Sequence, residues 1–318
     1  MKQLGMGSGF EKFSKTTRRE QFLAEMERIV PWSELCAVVE PHYPTGEGGR
    51  PPRELEQMLR IYLLQQWFNL SDPGVEEALY DSRCMQAFAR IDLAEQPVPD
   101  ETTVCRFRHL LERHELGAAL FAAINDYLAR QGVKLSTGTI VDATLISAPS
   151  STKNREGKRD PDMHQTKKGN QWYFGMKGHF GVDAETKVIH SVAATAANVH
   201  DGHCLPDLLH GKETKVWGDT AYQGNTAVIA ECAPAARDLI NRRCRRKGVV
   251  DEVERGANRA KSSVRARVEH SIGVIKRVFG FVKVRYRGLE KNANRLFVTA
   301  GLANLFLVRR RLLRMAPA

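Results

Sequence analysis

One segment constrains this chain more than any other. Thr137-Gly-Thr-Ile-Val-Asp-Ala-Thr-Leu-Ile146 is β-branched and apolar on both faces, the pattern of a strand covered above and below. A sheet holding such a strand needs a layer on each side, which points to an α/β arrangement. Asp142 interrupts the run. A carboxylate there is costly unless it reaches a strand edge, a metal or a partner.

The rest of the chain divides around this strand. Residues 1–45 read as a partly helical segment, with Phe22, Leu23, Met26 and Val30 at helical spacing. His42 to Pro52 is rich in Gly and Pro and reads as a linker. From Arg53 the pattern is helical, with Leu55, Met58, Leu59, Tyr62, Leu63 and Trp67 in one apolar stripe. Further helices are expected over 75–88, over 101–115 with Asp100 as N-cap, and over 116–131. Beyond Gly132, five strands are expected, over 137–146, 171–182, 186–194, 215–219 and 236–240. Helices are expected after Asp201 and over 224–232, 262–279 and 293–313. Between them, 147–169 reads as a polar loop and 242–261 as a basic connector of poor periodicity. The expected division is therefore an N-terminal segment 1–45, an all-α domain 46–131 and an α/β domain 132–318.

A length of 318 residues with 42% hydrophobic content supports a sizeable core. No run approaches the roughly 18 apolar residues of a membrane span, and Met1 to Gly9 lacks the apolar stretch of a signal peptide. A soluble cytoplasmic protein without a membrane partner is expected. The six cysteines form no CxxC pair, which argues for reduced packing thiols and against structural zinc.

Charge is unevenly placed. The net charge is +11, yet residues 237–318 alone hold 22 lysines and arginines against 6 acids, a net of +16. The remainder sums to −5. Such a block attracts a polyanion, although a solvated basic face or an acidic protein partner fits the same charge.

Three acids sit where chemistry is built. Asp142 lies inside the buried strand, and Asp219 lies where Lys215-Val-Trp-Gly-Asp219 ends, outside a strand end where α/β sheets gather ligands. Arg265, Glu269, Ile272 and Lys276 fall at i, i+4, i+7 and i+11, a helical stripe roughly 60° wide at about 100° per residue. Val264, Val268, Ile275 and Phe279 make an apolar stripe beside it. Three converging carboxylates repel one another unless a metal joins them. Two hard ions, Mg²⁺ or Mn²⁺, would clamp the attacking and leaving oxygens of a phosphoryl displacement. Arg265 and Lys276 would then hold a phosphate. Taken singly, each acid has a plainer reading: a cap, a turn, or an i,i+4 ion pair. Asp160, Asp162 and Asp183 read as turn and loop acids; His200-Asp201 ends a strand-to-helix loop and either approaches the site or, as the plainer reading, lets Asp201 N-cap the helix that follows. His200, His203 and His210 are too loosely spaced to argue for a metal site.

Thr139-Ile-Val-Asp142-Ala-Thr, Trp217-Gly-Asp219-Thr-Ala-Tyr and Arg265-x3-Glu269-x6-Lys276 resemble the DDE transposases of bacterial insertion sequences. Trp172-Tyr-Phe-Gly-Met-Lys-Gly-His179 and Ala197-Asn-Val-His-Asp201 resemble stretches of the insertion-sequence-five family, within the wider insertion-sequence-four superfamily. The resemblance spans about residues 45–310. It implies an RNase H-like core, a mixed five-stranded sheet with flanking helices, behind an all-α N-terminal domain that recognises terminal inverted repeats. It further implies a catalytic and metal-binding set of Asp142, Asp219 and Glu269 with two Mg²⁺ or Mn²⁺ ions, and 3′-OH transfer into target DNA. Two ends joined to one target imply a homodimer on DNA. Ser262 stands where the superfamily signature carries Tyr, a ring associated with handling a flipped base, so the resemblance does not extend to a hairpin-forming route.

The residues expected on DNA are Arg265, Lys276, Lys177, Arg242, Arg243, Arg245, Arg246, Lys283, Arg285 and Arg287. Phe281 and Tyr286 are placed either against bases or, with Val282 and Val284, in a core strand. Besides a transposase, an RNase H-like nuclease without strand transfer and a non-catalytic DNA-binding derivative fit the same features.

Overall fold

The computed structural model describes residues 15–46, 51–133, 135–246 and 249–315. Residues 1–14 and the 47–50 stretch of the expected linker lie outside the described residues.

Helices come first: α1 (Arg18–Ile29), α2 (Trp32–Val39), α3 (Leu55–Phe68), α4 (Asp72–Asp81), α5 (Arg83–Phe88), α6 (Glu101–Arg113) and α7 (Leu116–Arg130). Local chemistry sets their ends. Thr17 and Glu20 form a capping box on α1, and Asp100 accepts from the Thr103 N–H at 2.6 Å to start α6. The single helix expected over 75–88 is two, because Ser82 adopts an extended conformation (φ −113°, ψ 103°) between them.

Six strands follow: β1 (Gly138–Ser147), β2 (His164–Lys168), β3 (Gln171–Asp183), β4 (Ile189–Ala196), β5 (Lys215–Trp217) and β6 (Arg237–Asp238). They form one mixed sheet in the order β2-β3-β1-β5-β6, with β4 also on β3. β1 is antiparallel to β3 and parallel to β5, and β5 is parallel to β6. Antiparallel neighbours on one side of the first strand and parallel ones on the other make the RNase H-like arrangement. The sixth strand corrects the expected five. β2 lies inside the stretch read as a loop and pairs with the outer end of β3 through a two-residue turn, with Gly169 at φ +60°. Its residues have no buried face, so no alternation marks it in the sequence.

Short helices α8 (Leu205–Leu208) and α9 (Thr226–Cys232) link the later strands. A small hairpin of β7 (Arg245–Arg246) and β8 (Val249–Val250) then leads into α10 (Glu252–Arg265), α11 (Val268–Gly273), a π-helical turn (Val274–Val278) and α12 (Leu289–Met315). Two expectations change here. The stretch 242–261 is not a bare connector, since Asp251 caps a helix by accepting from the Glu254 N–H at 3.0 Å. The helix expected over 262–279 is interrupted at Ala266-Arg267 and widened to a π turn beyond Gly273.

α12 is the keel. Leu296, Val298, Leu302 and Leu305 are fully buried, and the helix packs against α7 and α1 as well as β4. One apolar core therefore runs from the N-terminal helices to the sheet. Along β1, Ile140 and Ile146 face that core, while Val141 faces a second cluster with Leu205, Val216, Tyr222 and Ile240. Both faces of β1 are covered, as its composition requires. Phe281 and Val284 are buried, whereas Val282 is half exposed. The segment binds the end of β1, with Ser147 N–H donating to Val282 O and Val284 N–H to Ser147 O. Tyr286 is largely buried beneath the Arg108 guanidinium, 4.1 Å from its ring centre, so neither aromatic is free to meet a base. No described helix is long and apolar enough to cross a membrane.

Candidate active site

Register brings the first two acids together. β1 and β5 run parallel with Ile140 opposite Trp217. Two residues further along each chain stand Asp142 and Asp219, so adjacent strands, about 4.8 Å apart, carry them side by side. Asp142 shares a face of β1 with Ile140 and Ile146, where its carboxylate is mostly removed from water (17% exposed). Its Oδ1 accepts from the Ala143 N–H at 2.9 Å. Asp219 ends β5, and its Oδ1 accepts from the Ala221 N–H at 2.8 Å, capping a short turn.

Glu269 comes from α11. Val268 is fully buried beside it. Arg267 donates to Ala184 O at 2.7 Å and the Ser271 hydroxyl to Lys187 O at 2.6 Å, tying this short helix to the β3–β4 turn. Asp142, Asp219 and Glu269 line one open cavity of about 750 Å³.

Cations line the same cavity. Arg265, Ile272 and Lys276 face it with Glu269, so the stripe read from the sequence survives the broken helix. Arg265 Nη1 approaches Asp142 Oδ2 at 3.4 Å, and its Nε is buried without a partner. Lys276 donates to Thr144 Oγ1 at 3.1 Å and Leu145 O at 2.9 Å. Burial, and then the nearby Lys168 ammonium, hold its pKa below the usual lysine range.

Of the two readings of Asp201, the approach to the site is the one the structure carries. Asp201 lines the cavity and forms a 2.8 Å ion pair with Lys177, whose Nζ also donates to Val199 O at 2.8 Å. It is not the N-cap of the following turn. His200 is, accepting from the Gly202 N–H. The signal that decides between the two readings is Lys177, a lone cation in the otherwise buried second half of β3, which requires a counter-ion.

The remaining expected DNA contacts lie elsewhere. Arg242, Arg243 and Arg245 are exposed around the β7–β8 hairpin, Lys283 is exposed, and the Arg246 side chain lies outside the described residues. Arg285 donates to Asn69, and Arg287 pairs with Glu156 at 2.7 Å. These two line a separate, smaller cavity of about 180 Å³.

Asp142 shows what the cavity asks for. Burial, then the charges of Asp219 and Asp201, push its pKa up to about 6 against the pull of Ala143 N–H and Arg265. A carboxylate held in its less favoured state, with a second beside it, suits a cation. The available donors are carboxylate oxygens, the ligands of hard ions such as Mg²⁺. Among the described residues, no three His, Cys, Asp or Glu side chains already close on a single point as a ligand set. What the three acids share is the oxygen-donor chemistry of a hard-ion site and one cavity.

Comparison with known proteins gives two family matches and a structural neighbour. The family described as Transposase DDE domain matches residues 134–305, more than half of the chain. A second, described as Transposase domain (DUF772), matches residues 11–110. Among solved structures, a cryo-EM structure of the piggyBac transposase synaptic complex with hairpin DNA is similar at 10% identity. That match covers 95% of this chain and 78% of the other with a TM-score of 0.46. The β1–β5 acid pair and the α11 glutamate thus lie within the matched DDE region, and the chain belongs to the DDE transposase family.

Proposed function

We propose that this protein is a metal-dependent DNA strand transferase. It cleaves DNA at the ends of an insertion sequence and joins the freed 3′-OH ends to target DNA. Asp142, Asp219 and Glu269 are its catalytic carboxylates and hold two Mg²⁺ or Mn²⁺ ions. The observation that carries this reading is the convergence of those three acids, from two strands and a helix, onto one cation-lined cavity.

Chains with DDE transposase domains generally use divalent metal ions. When bound, such ions stabilise charge on the phosphoryl oxygens and on the attacking and leaving oxygens. The protein's own groups do the rest. Lys276, fixed by Thr144 and Leu145, presents a point charge to a phosphate at the cavity wall. Arg265, held to Asp142 by one long contact and with an orphaned Nε, is free to turn its fork onto a phosphate once the carboxylate finds another partner. Lys177 holds Asp201 against the metal-binding acids and braces β3.

The helical domain 46–131 is assigned to terminal inverted repeats. Arg242, Arg243, Arg245, Arg246 and Lys283 are assigned to the DNA backbone, Arg285 and Arg287 to the same path once they release Asn69 and Glu156. The working assembly is a homodimer on DNA, acting at the nucleoid in the cytoplasm.

The deciding experiment supplies purified protein, Mg²⁺, a pre-cleaved element end with a free 3′-OH and a labelled target duplex. Joined product is expected. Strand cleavage without joining would assign a nuclease instead, and DNA binding with neither reaction would assign a non-catalytic derivative.

A further inference from the structure

We propose that the β2–β3 arm holds unpaired DNA beside the active-site cavity, with Trp172 as the platform on which a base stacks. This rests on the reading above that DNA is the substrate. Of the chain's four tryptophans, Trp67 is buried, Trp32 and Trp217 are partly buried, and Trp172 is 63% exposed. Among the described residues the indole belongs to neither apolar cluster. Its recorded ring contact is Lys167, with Nζ 5.9 Å from the ring centre and the residue directly opposite in the hairpin.

The arm's position gives this exposure a meaning. β1 follows β3 only as far as the pair Ser147–Gly175, and β4 pairs with β3 only from Met176 onward. Gln171, Trp172 and Tyr173 are therefore paired with β2 alone, so the hairpin extends past the body of the sheet. Its inner side opens on the site, since Thr166, Lys167 and Lys168 line the same cavity as the three acids. His164, Gln165, Lys167 and Lys168 are all exposed, so β2 contributes nothing to either core.

An exposed indole flanked by lysines is complementary to an unpaired nucleotide. The ring offers a π-face to any base, and the ammonium groups take the flanking phosphates. Paired bases inside a duplex already stack on their neighbours and present no free face. The arm is therefore selective for strand without a complement, such as an extension leaving a cleaved end, and indifferent to base identity.

The test compares a short blunt duplex with the same duplex carrying a single-stranded extension, both in chelator so that nothing is cut. Wild-type protein is expected to bind the extended duplex more tightly, with quenching of tryptophan fluorescence. Trp172→Ala should weaken binding to the extended duplex about 10-fold or more, the loss of ~1.4 kcal/mol or more expected for one base–aromatic stack. Affinity for the blunt duplex should be unchanged. Trp172→Phe keeps a ring and should recover much of the loss, without the quenching. The hairpin lies outside both cores, so these variants fold. Unchanged binding in Trp172→Ala, or an equal loss on both DNAs, overturns the proposal. So does a change in oligomeric state with DNA binding intact, which would make the indole a contact between copies. Failure of the wild type to bind either DNA would instead sink the DNA-substrate reading, and this inference with it.

Discussion

Replacing Asp142 by Asn should make the metal-free protein more stable while abolishing its chemistry. The carboxyl is pushed from 3.8 up to about 6, chiefly by burial. Between those values the folded state binds the proton that the unfolded chain has released. The group's contribution is therefore most favourable below the lower value and is lost as pH rises through the upper one. At about 1.4 kcal/mol per pKa unit, the ionised carboxylate costs the fold up to roughly 3 kcal/mol. Relaxation and the 17% exposure of the side chain reduce this, so a gain of about 1–2 kcal/mol is expected for Asp142→Asn. The assay is urea unfolding in chelator across this pH range. The variant's advantage should be near zero at the lower pKa and reach its plateau above the upper one. Saturating Mg²⁺ should then stabilise the wild type by about 3 kcal/mol at a hundredfold excess over the dissociation constant, and the variant by far less. A variant no more stable than wild type in chelator above the upper pKa would refute the electrostatic reading of the cavity. Equal stabilisation of both proteins by Mg²⁺ would remove Asp142 from the metal site.

Three further outcomes are expected. Asp201→Asn should slow single-turnover DNA cleavage about 10- to 100-fold, the usual cost of losing a group that orients metal ligands, with DNA affinity retained in a filter-binding assay. An unchanged rate would reduce the Lys177–Asp201 pair to structural bracing. His179 is buried, His190 is half-buried, and both are held down at about 4 by desolvation, so they should be neutral in the fold, and stability should fall as pH drops from about 6.5 towards 4. His190→Asn should flatten that decline by up to roughly 3 kcal/mol, and an unaltered pH slope in urea titrations would show that His190 does not contribute. DNA affinity should fall steeply with salt, and Arg243→Ala or Lys276→Ala should each lower the log–log slope by about 1. A slope unchanged in both would place the DNA elsewhere.

Much of the site was legible because its geometry follows short-range rules. Asp142 stood out as the charge in a strand apolar on both faces. Asp219 stood out as the acid at the end of a strand, where ligands of α/β sheets gather. The Arg265–Glu269–Ile272–Lys276 stripe was readable from helical spacing alone, and all four side chains reach the cavity. The spacing survived because the break at Ala266-Arg267 keeps helical dihedrals at the cap. The adjacent apolar stripe then fixes the orientation, with Val268, Ile275 and Phe279 buried.

What stayed hidden depends on partners distant in sequence or on elements without an apolar face. α10 buries no residue and is held by side-chain bonds such as Asn258 to Arg242 and Asn241 to Ser262; Val253, Ala257, Ala260 and Val264 do stand at helical spacing, but this thin stripe among charged residues marks no core. The basic block misled in a related way, because a charge count cannot tell free cations from spent ones. Arg295 lies buried over Phe281 and bound to Gln66 and Asn69, Arg285 is tied to Asn69, and Arg267 is tied to Ala184. These arginines fasten α12 and its neighbours to the helical layer and the sheet. The positive charge left for a polyanion is accordingly smaller than the count, and includes the cavity wall, the exposed Arg242, Arg243 and Arg245, and the exposed Arg310, Arg311 and Arg314 at the end of α12. Salt sensitivity should track these exposed cations and not the full count of the 237–318 segment.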